Sequence, residues 1–100
     1  MIVFSTFNDE EKTVKIIRTA IDKHFAACAN IIPLRSIYPW NGKIEDVNEF
    51  LVVFKTTSSK ESELISFLEH CHPYDIPEII SITPNSINKK YLDWLDQTLL

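Results

Sequence analysis

The dipeptide Asn41-Gly42 constrains the fold of this chain more narrowly than any other feature of the sequence. Asn-Gly is the pair best suited to the positive φ angles of a two-residue type I′ turn, which joins two antiparallel strands. Residues that favour β-structure stand on both sides of it, so it predicts a hairpin of strands Cys28–Trp40 and Lys43–Lys55. Counting outward from the turn sets the register. The predicted cross-strand pairs are Trp40 with Lys43, Tyr38 with Glu45, and Ile32 with Leu51.

This predicted hairpin is longer than the body of a domain of this size. Each strand would reach roughly 40 Å, whereas a compact domain of 100 residues is about 33 Å across. The tip must therefore project from the domain, although it carries apolar side chains such as Ile37 and Ile44. We expect a second copy of the chain to cover it, because a projecting two-stranded ribbon is only marginally stable. The alternative is that Pro33 and Pro39 break the first strand and the tip folds back.

Strand and helix periodicities predict five further elements around the hairpin. They are a strand over Ile2–Phe7, a helix over Asp9–Lys23, a helix over Ser59–His70, a strand over Glu78–Thr83 and a last helix capped by Asn88. Asn8 with Glu11, and Ser58 with Glu61, have the spacing of capping boxes at the first two helix starts. The order β-α-β-β-α-β, followed by a short helix, predicts one α+β domain over residues 1–100. That order is typical of a ferredoxin-like sandwich, whose second and fourth strands lie at the sheet edges.

The charge balance and the cysteine count exclude several classes of protein. A formal net charge of -4, without a cluster of Lys and Arg, disfavours a nucleic-acid binder. No apolar run approaches the roughly 20 residues of a membrane span, and the start of the chain lacks the charged region of a signal peptide. Two cysteines, Cys28 and Cys71, are too few for a disulfide scaffold. They indicate reduced thiols and a cytoplasmic protein.

Catalytic motifs are absent from the sequence. A single glycine excludes both a P-loop and a dinucleotide-binding fingerprint, so no organic cofactor is expected. Neither a G-x-S-x-G elbow nor an H-E-x-x-H pair occurs. Acylphosphatases share this size and fold class, but residues 5–9 are acidic where those enzymes have a Gly-rich anion loop. We therefore do not expect an enzyme.

Five ordered segments carry a resemblance that spans essentially the whole chain. They are Ala26-Ala27-Cys28-Ala29-Asn30, Ser36-Ile37-Tyr38-Pro39-Trp40-Asn41-Gly42-Lys43-Ile44, Phe54-Lys55-Thr56-Thr57, His72-Pro73-Tyr74-Asp75-Ile76-Pro77-Glu78-Ile79-Ile80 and Tyr91-Leu92-Asp93-Trp94-Leu95. This set resembles the CutA divalent-cation tolerance family. The resemblance implies a ferredoxin-like fold assembled as a homotrimer, with sheets extended between subunits as in PII signal proteins. It also implies a role in tolerance of copper and other divalent metals, without an established catalysed reaction.

The resemblance places a divalent-metal site, such as one for copper, at Cys71 and His72. Metal binding in the family has been assigned to a first-strand cysteine and two histidines before the Pro-Tyr motif, and those positions read Ser5, Cys71 and His72 here. Thiolate and imidazole suit copper or zinc, whereas a serine hydroxyl is a poor ligand for a soft metal. In the alternative interpretation, Cys71 packs on the inner face of its helix and His72 forms hydrogen bonds.

A second candidate site combines aromatic and charged side chains within the family-like segments. Its members are Tyr38, Trp40, Lys55, Glu78, Tyr91 and Trp94. In a trimer they would line a cleft between subunits that suits a small polar or anionic ligand. The alternative is that the aromatic side chains fill the subunit interface while Lys55 and Glu78 pair across it.

Three functional hypotheses follow from these observations. The first is a trimeric metal-binding or metal-response protein that uses Cys71 and His72. The second is a PII-like sensor that binds a small molecule in the clefts between subunits. The third is a structural module in which the trimer itself recruits a protein partner.

Overall fold

The computed structural model describes the whole chain, Met1 to Leu100, as a sheet covered by helices. Its elements are β1 (Ile2–Phe7), α1 (Glu10–Asp22), β2 (Cys28–Trp40), β3 (Lys43–Lys55), α2 (Glu61–Cys71), β4 (Ile79–Ile82) and α3 (Lys89–Thr98). The four strands pair antiparallel in the order β2-β3-β1-β4. This order confirms the predicted α+β class, the edge positions of the second and fourth strands, and the extra C-terminal helix.

The hairpin has the predicted register over its full length. Trp40 pairs with Lys43, and the ladder continues without a break to Cys28 and Lys55. Asn41 and Gly42 both have positive φ angles, 50° and 76°, as a type I′ turn requires. Both prolines of β2 stay within the strand, because an edge strand tolerates a residue that donates no ladder hydrogen bond.

The core lies between one face of the sheet and the two long helices. Alternation along β1 turns Val3, Ser5 and Phe7 towards the helices, and all three are buried. The other main contributors to this core are Ile17, Ala20, Val52, Phe54, Leu64 and Leu68. The opposite, outer face of the sheet is only partly covered. On that side of the molecule α3 forms a small cluster of its own, in which Leu95 and Leu99 pack on Ala27.

The helix starts differ from the sequence predictions. Asp9, rather than Asn8, caps α1: its backbone is extended and its Oδ1 accepts the amide of Lys12 at 3.0 Å. At α2 a turn over residues 58–60 delays the helix to Glu61, so that Ser58 lies too far from the first turn to cap it. Asn88 does occupy the N-cap position of α3, but its side chain makes no capping hydrogen bond.

The molecule is elongated because the hairpin extends beyond the body of the domain. Its principal extents are 46, 26 and 21 Å, and the tip residues are exposed. No helix in the chain has the length and apolar character needed to cross a membrane.

Candidate functional site

The segment between α2 and β4, residues 72–78, is attached to the sheet at three points. The first point is His72, whose Nε2 donates a hydrogen bond to the carbonyl of Thr6 at 2.9 Å. Its Nδ1 accepts the backbone N–H of Tyr74 at 3.1 Å. Since an amide only donates and a carbonyl only accepts, the ring is the neutral tautomer with its proton on Nε2. Burial lowers the pKa of His72, while the Thr6 carbonyl and the charge of Glu49 oppose that shift.

The second attachment point joins Tyr74 to a buried carboxylate on β3. The Tyr74 hydroxyl donates to Oε2 of Glu49 at 2.6 Å. Glu49 is only 5% exposed, which makes it the one buried carboxylate of the chain. Burial, followed by the hydrogen bond to Glu49 and its charge, raises the pKa of Tyr74 well above that of a free tyrosine. The hydroxyl therefore keeps its proton and remains a donor to Glu49.

The third attachment point is Ser5, in the middle of β1. Its side chain is fully buried, and Oγ donates to the carbonyl of Glu78 at 2.8 Å. Glu78 immediately precedes β4, whose residue Ile79 pairs with Ser5 in the ladder. The hydroxyl of Ser5 thus fixes the end of the 72–78 segment on the sheet.

The attached segment forms one wall of a cavity of about 770 Å³. The projecting half of the hairpin, with Tyr38 and Trp40, forms another wall, and Thr6 of β1 also lines the cavity. Three carboxylates line the cavity, those of Glu49, Asp75 and Glu78. No Lys, Arg or His lines it, so the enclosed surface is acidic and aromatic.

The structure divides the second candidate site into two groups within one chain. Tyr38, Trp40 and Glu78 line the cavity. Lys55 lies at the other end of β3, roughly 34 Å along the strand from the partner of Tyr38, and its ammonium hydrogen-bonds Asn30. The pairing of Lys55 with Glu78 across a subunit interface stays a prediction. Of the small polar or anionic ligand expected from the sequence, the anionic alternative meets no cation of this chain in the cavity.

The remaining two aromatic residues of that candidate site lie on α3. The rings of Tyr91 and Trp94 stack with centroids 5.6 Å apart. Burial, followed by the charge of Cys28 and a hydrogen bond with its side chain, raises the pKa of Tyr91. Because Cys28 pairs with Lys55 in the β2–β3 ladder, these residues gather near the end of the sheet that is remote from the cavity.

Glu49 and Tyr74, which form the buried hydrogen bond of the cavity, are among the lining residues that were not predicted from the sequence. The available signal for Glu49 was its position directly before the apolar run of β3, where the predicted register pairs it with Leu34. An acidic side chain paired with an apolar one on a strand is a candidate for burial. Tyr74 lies in an irregular segment, for which the sequence offers no periodicity.

The proposed metal ligands Cys71 and His72 do not fit a metal ion within one chain. Both ring nitrogens of His72 are already hydrogen-bonded, so that the ring matches the structural alternative rather than a ligand. Cys71 ends α2 and is partly buried, and this burial raises the pKa of its thiol, which disfavours the thiolate. No group of three or more His, Cys, Asp and Glu side chains is placed to hold one ion.

Comparisons with known proteins give a consistent result. A family model described as CutA1 divalent ion tolerance protein matches residues 1–98. The divalent-cation tolerance protein CutA of Thermotoga maritima is 38% identical over 100 residues, covering 100% of this chain and 99% of the relative. None of these descriptions names a catalysed reaction.

Solved structures agree with the sequence comparison. The crystal structure of CutA1 from Pyrococcus horikoshii superposes with a TM-score of 0.95 at 37% identity, covering 99% of this chain and 97% of the other. The CutA of Archaeoglobus fulgidus, described as a periplasmic divalent cation tolerance protein, has a TM-score of 0.94 at 34% identity, with 99% and 97% covered. The ferredoxin-like architecture is therefore shared with proteins of this description.

Proposed function

The chain belongs to the CutA1 divalent ion tolerance family, and from that premise we propose that it acts as a homotrimeric, non-catalytic protein that binds a small ligand. The ligand occupies the cavity between the hairpin and residues 72–78. This develops the sensor hypothesis, with the site placed in a cavity that one chain lines rather than in a cleft between subunits, and it replaces Cys71 and His72 as the centre of activity. A cytoplasmic location stays a prediction, which rests on the two free cysteines.

The observation that carries this proposal is the buried Glu49 beside a large cavity. A carboxylate removed from water is costly unless donors surround it, and Tyr74 supplies a donor to only one of its oxygens. Cavities of roughly 300–1,000 Å³ with a few placed polar groups are the usual form of small-ligand sites. The cavity of about 770 Å³ falls within that range.

The assembly is supported by apolar surface that a single chain leaves in water. On the outer face of the sheet Ile80 is 50% exposed and Ile32 is 44% exposed. On the projecting hairpin Ile37 and Ile44 are 62% and 78% exposed. Exposed apolar surface on the outer face of the sheet and on the projecting hairpin is typical of an interface, and a second copy of the chain is the partner that a symmetric oligomer supplies.

Native mass spectrometry tests the assembly and the metal hypothesis together. We expect a trimer, and we expect the same small mass change during a copper titration in the parent protein and in a Cys71→Ala plus His72→Gln variant. Zinc serves as the comparison metal. A trimer that holds one copper per subunit, lost in that variant, would contradict the proposal and restore the metal-binding hypothesis. A monomer at micromolar concentration would contradict the assembly.

Ligand binding in the cavity needs a separate measurement. The indole N–H signal of Trp40 reports on the cavity in the intact protein, and a Trp94→Phe variant assigns it by leaving one tryptophan. We expect compounds from a library of cationic, neutral and anionic metabolites to shift this signal and to raise the melting temperature. If no compound of any charge does so, the function is that of a structural trimer, and this proposal is wrong.

A further inference from the structure

We propose that the ligand of the cavity is a small organic ammonium, held by the carboxylate of Glu49 and by the aromatic rings of Tyr38 and Trp40. This inference rests on the proposed function, because it names the chemical class of ligand for the same cavity. A metal site needs several converging ligands, whereas one carboxylate and aromatic surface suffice for an organic ammonium. The sequence instead led us to expect a small polar or anionic ligand.

The charge of the cavity is the first argument. Its three carboxylates, Glu49, Asp75 and Glu78, take part in none of the ion pairs of the chain. No Lys, Arg or His of the same chain lines the cavity, so no cation of this chain balances them. In a partly enclosed site this field concentrates cations and repels anions.

Glu49 itself is the second and independent argument. Only 5% of its surface is exposed, yet it lines the cavity. Oε2 accepts the Tyr74 hydroxyl, whereas Oε1 accepts no hydrogen bond from the chain. No fully buried polar side-chain atom of the chain lacks a hydrogen-bond partner, so Oε1 keeps contact with solvent, and the space that Glu49 lines is the cavity. An ammonium N–H placed there completes the hydrogen bonds of the carboxylate and balances its charge.

The aromatic walls supply the third argument. The rings of Tyr38 and Trp40 line the same cavity as Glu49. Tyrosine and tryptophan attract organic cations through the negative faces of their rings, and tryptophan does so best. A hard divalent cation instead needs several oxygen ligands that converge at about 2.0–2.6 Å. No group of three such side chains is placed to do this here.

The test uses two compounds of the same shape that differ in charge. Choline and 3,3-dimethylbutan-1-ol are isosteres in which a quaternary nitrogen replaces a carbon, and acetate is the anionic comparison. We expect choline to shift the indole signal of Trp40 in the assembled protein, with an affinity roughly tenfold or more above that of the alcohol. Acetate should leave the signal unchanged.

Two variants and one control assign the effect. Glu49→Gln keeps the size of the side chain and an acceptor for Tyr74, and should weaken choline binding by roughly tenfold. Trp40→Leu, at an exposed position, should reduce the rise in melting temperature that choline causes, a readout that does not depend on the lost indole. Glu69→Gln removes an exposed carboxylate from α2, away from the cavity, and should bind choline like the parent protein.

The outcomes separate this inference from the function on which it rests. Equal affinities for choline and its neutral isostere would overturn the ammonium inference and leave the cavity as a ligand site. If a second copy places its own Lys or Arg in the cavity, choline fails to bind the trimer, which also overturns the inference. If neither choline nor any neutral or anionic compound shifts the Trp40 signal, both the inference and the proposed function fail.

Discussion

The ring of His72 stacks on the ring of Phe7, with centroids 4.3 Å apart and planes inclined by 16°. Phe7 ends β1 and is buried in the core, so the imidazole extends that core beneath the 72–78 segment. Both nitrogens of the same ring are hydrogen-bonded, one to the sheet and one to Tyr74. His72 therefore joins the wall of the cavity to the sheet.

The first prediction concerns pH. Burial keeps the pKa of His72 below its ordinary value of 6.5 in the folded protein, so the unfolded chain binds more protons as the pH falls below about 6.5. The stability contributed by the neutral ring is thus complete above that pH. It is lost as the pH falls towards the lower pKa that His72 has in the folded protein. Urea unfolding at pH 8, 7, 6 and 5 measures the loss.

His72→Gln tests the assignment of this loss, since glutamine retains a donor for the Thr6 carbonyl and does not titrate. The variant should be less stable at pH 8 but should lose less stability between pH 7 and pH 5. His70→Gln, at an exposed position of α2, should keep the parent pH profile. The same steep loss in His72→Gln as in the parent would refute the role of His72.

The second prediction concerns the hydroxyl of Tyr74. Tyr74→Phe leaves the buried carboxylate of Glu49 without its donor, which should lower the free energy of unfolding by about 1–3 kcal/mol. Tyr38→Phe removes a hydroxyl from the same cavity that makes no hydrogen bond to the chain, and should cost less than about 0.5 kcal/mol. Equal losses in the two variants, measured by chemical denaturation, would argue against the Tyr74–Glu49 contact.

The third prediction concerns Ser5. Ser5→Ala removes the donor to the Glu78 carbonyl inside a fully buried environment, and should lower the free energy of unfolding by about 1–2 kcal/mol. Amide hydrogen exchange should accelerate at the start of β4, next to Glu78, more than in β2. Ser58→Ala is the matched control, because that exposed side chain caps no helix, and it should be nearly neutral. Unchanged exchange in Ser5→Ala would show that the hydroxyl does not anchor β4.

The fourth prediction separates two adjacent candidates for the cap of α1. Asp9→Ala should destabilise the protein by about 1 kcal/mol, because the Asp9 carboxylate accepts the Lys12 amide and lies at the positive end of the helix dipole. Asn8→Ala should have a smaller effect, since Asn8 precedes the capping position. Thermal unfolding compares the melting temperatures of the two variants. A lower melting temperature for Asn8→Ala than for Asp9→Ala would favour the capping box predicted from the sequence.

The fifth prediction concerns the outer face of the sheet. Ile80→Lys places an ammonium in the proposed interface and should convert the trimer to smaller species in size-exclusion chromatography with light scattering. Ile21→Lys, at a comparably exposed position on α1, lies in the helix layer and should remain trimeric. If Ile80→Lys remains a trimer, the outer face is not the interface.

The sequence alone determined the four strands and the register of the β2–β3 hairpin. Asn41 and Gly42 favour one turn type, and a period of two along a strand then assigns every later residue to a pair and a face. These preferences are local, so they do not depend on the rest of the fold. The helix caps were less predictable, because Asn8 and Asp9 are both good capping residues and their backbone angles decide between them.

The tertiary structure alone decided the cavity and the roles of its residues. His72 meets Thr6 across 66 positions of the chain, Tyr74 meets Glu49 across 25, and Ser5 meets Glu78 across 73. No local pattern encodes such contacts, since they exist only after the sheet has formed and the 72–78 segment has packed against it. The burial of Glu49 arises in the same way, because a strand residue becomes buried only when another part of the chain covers it.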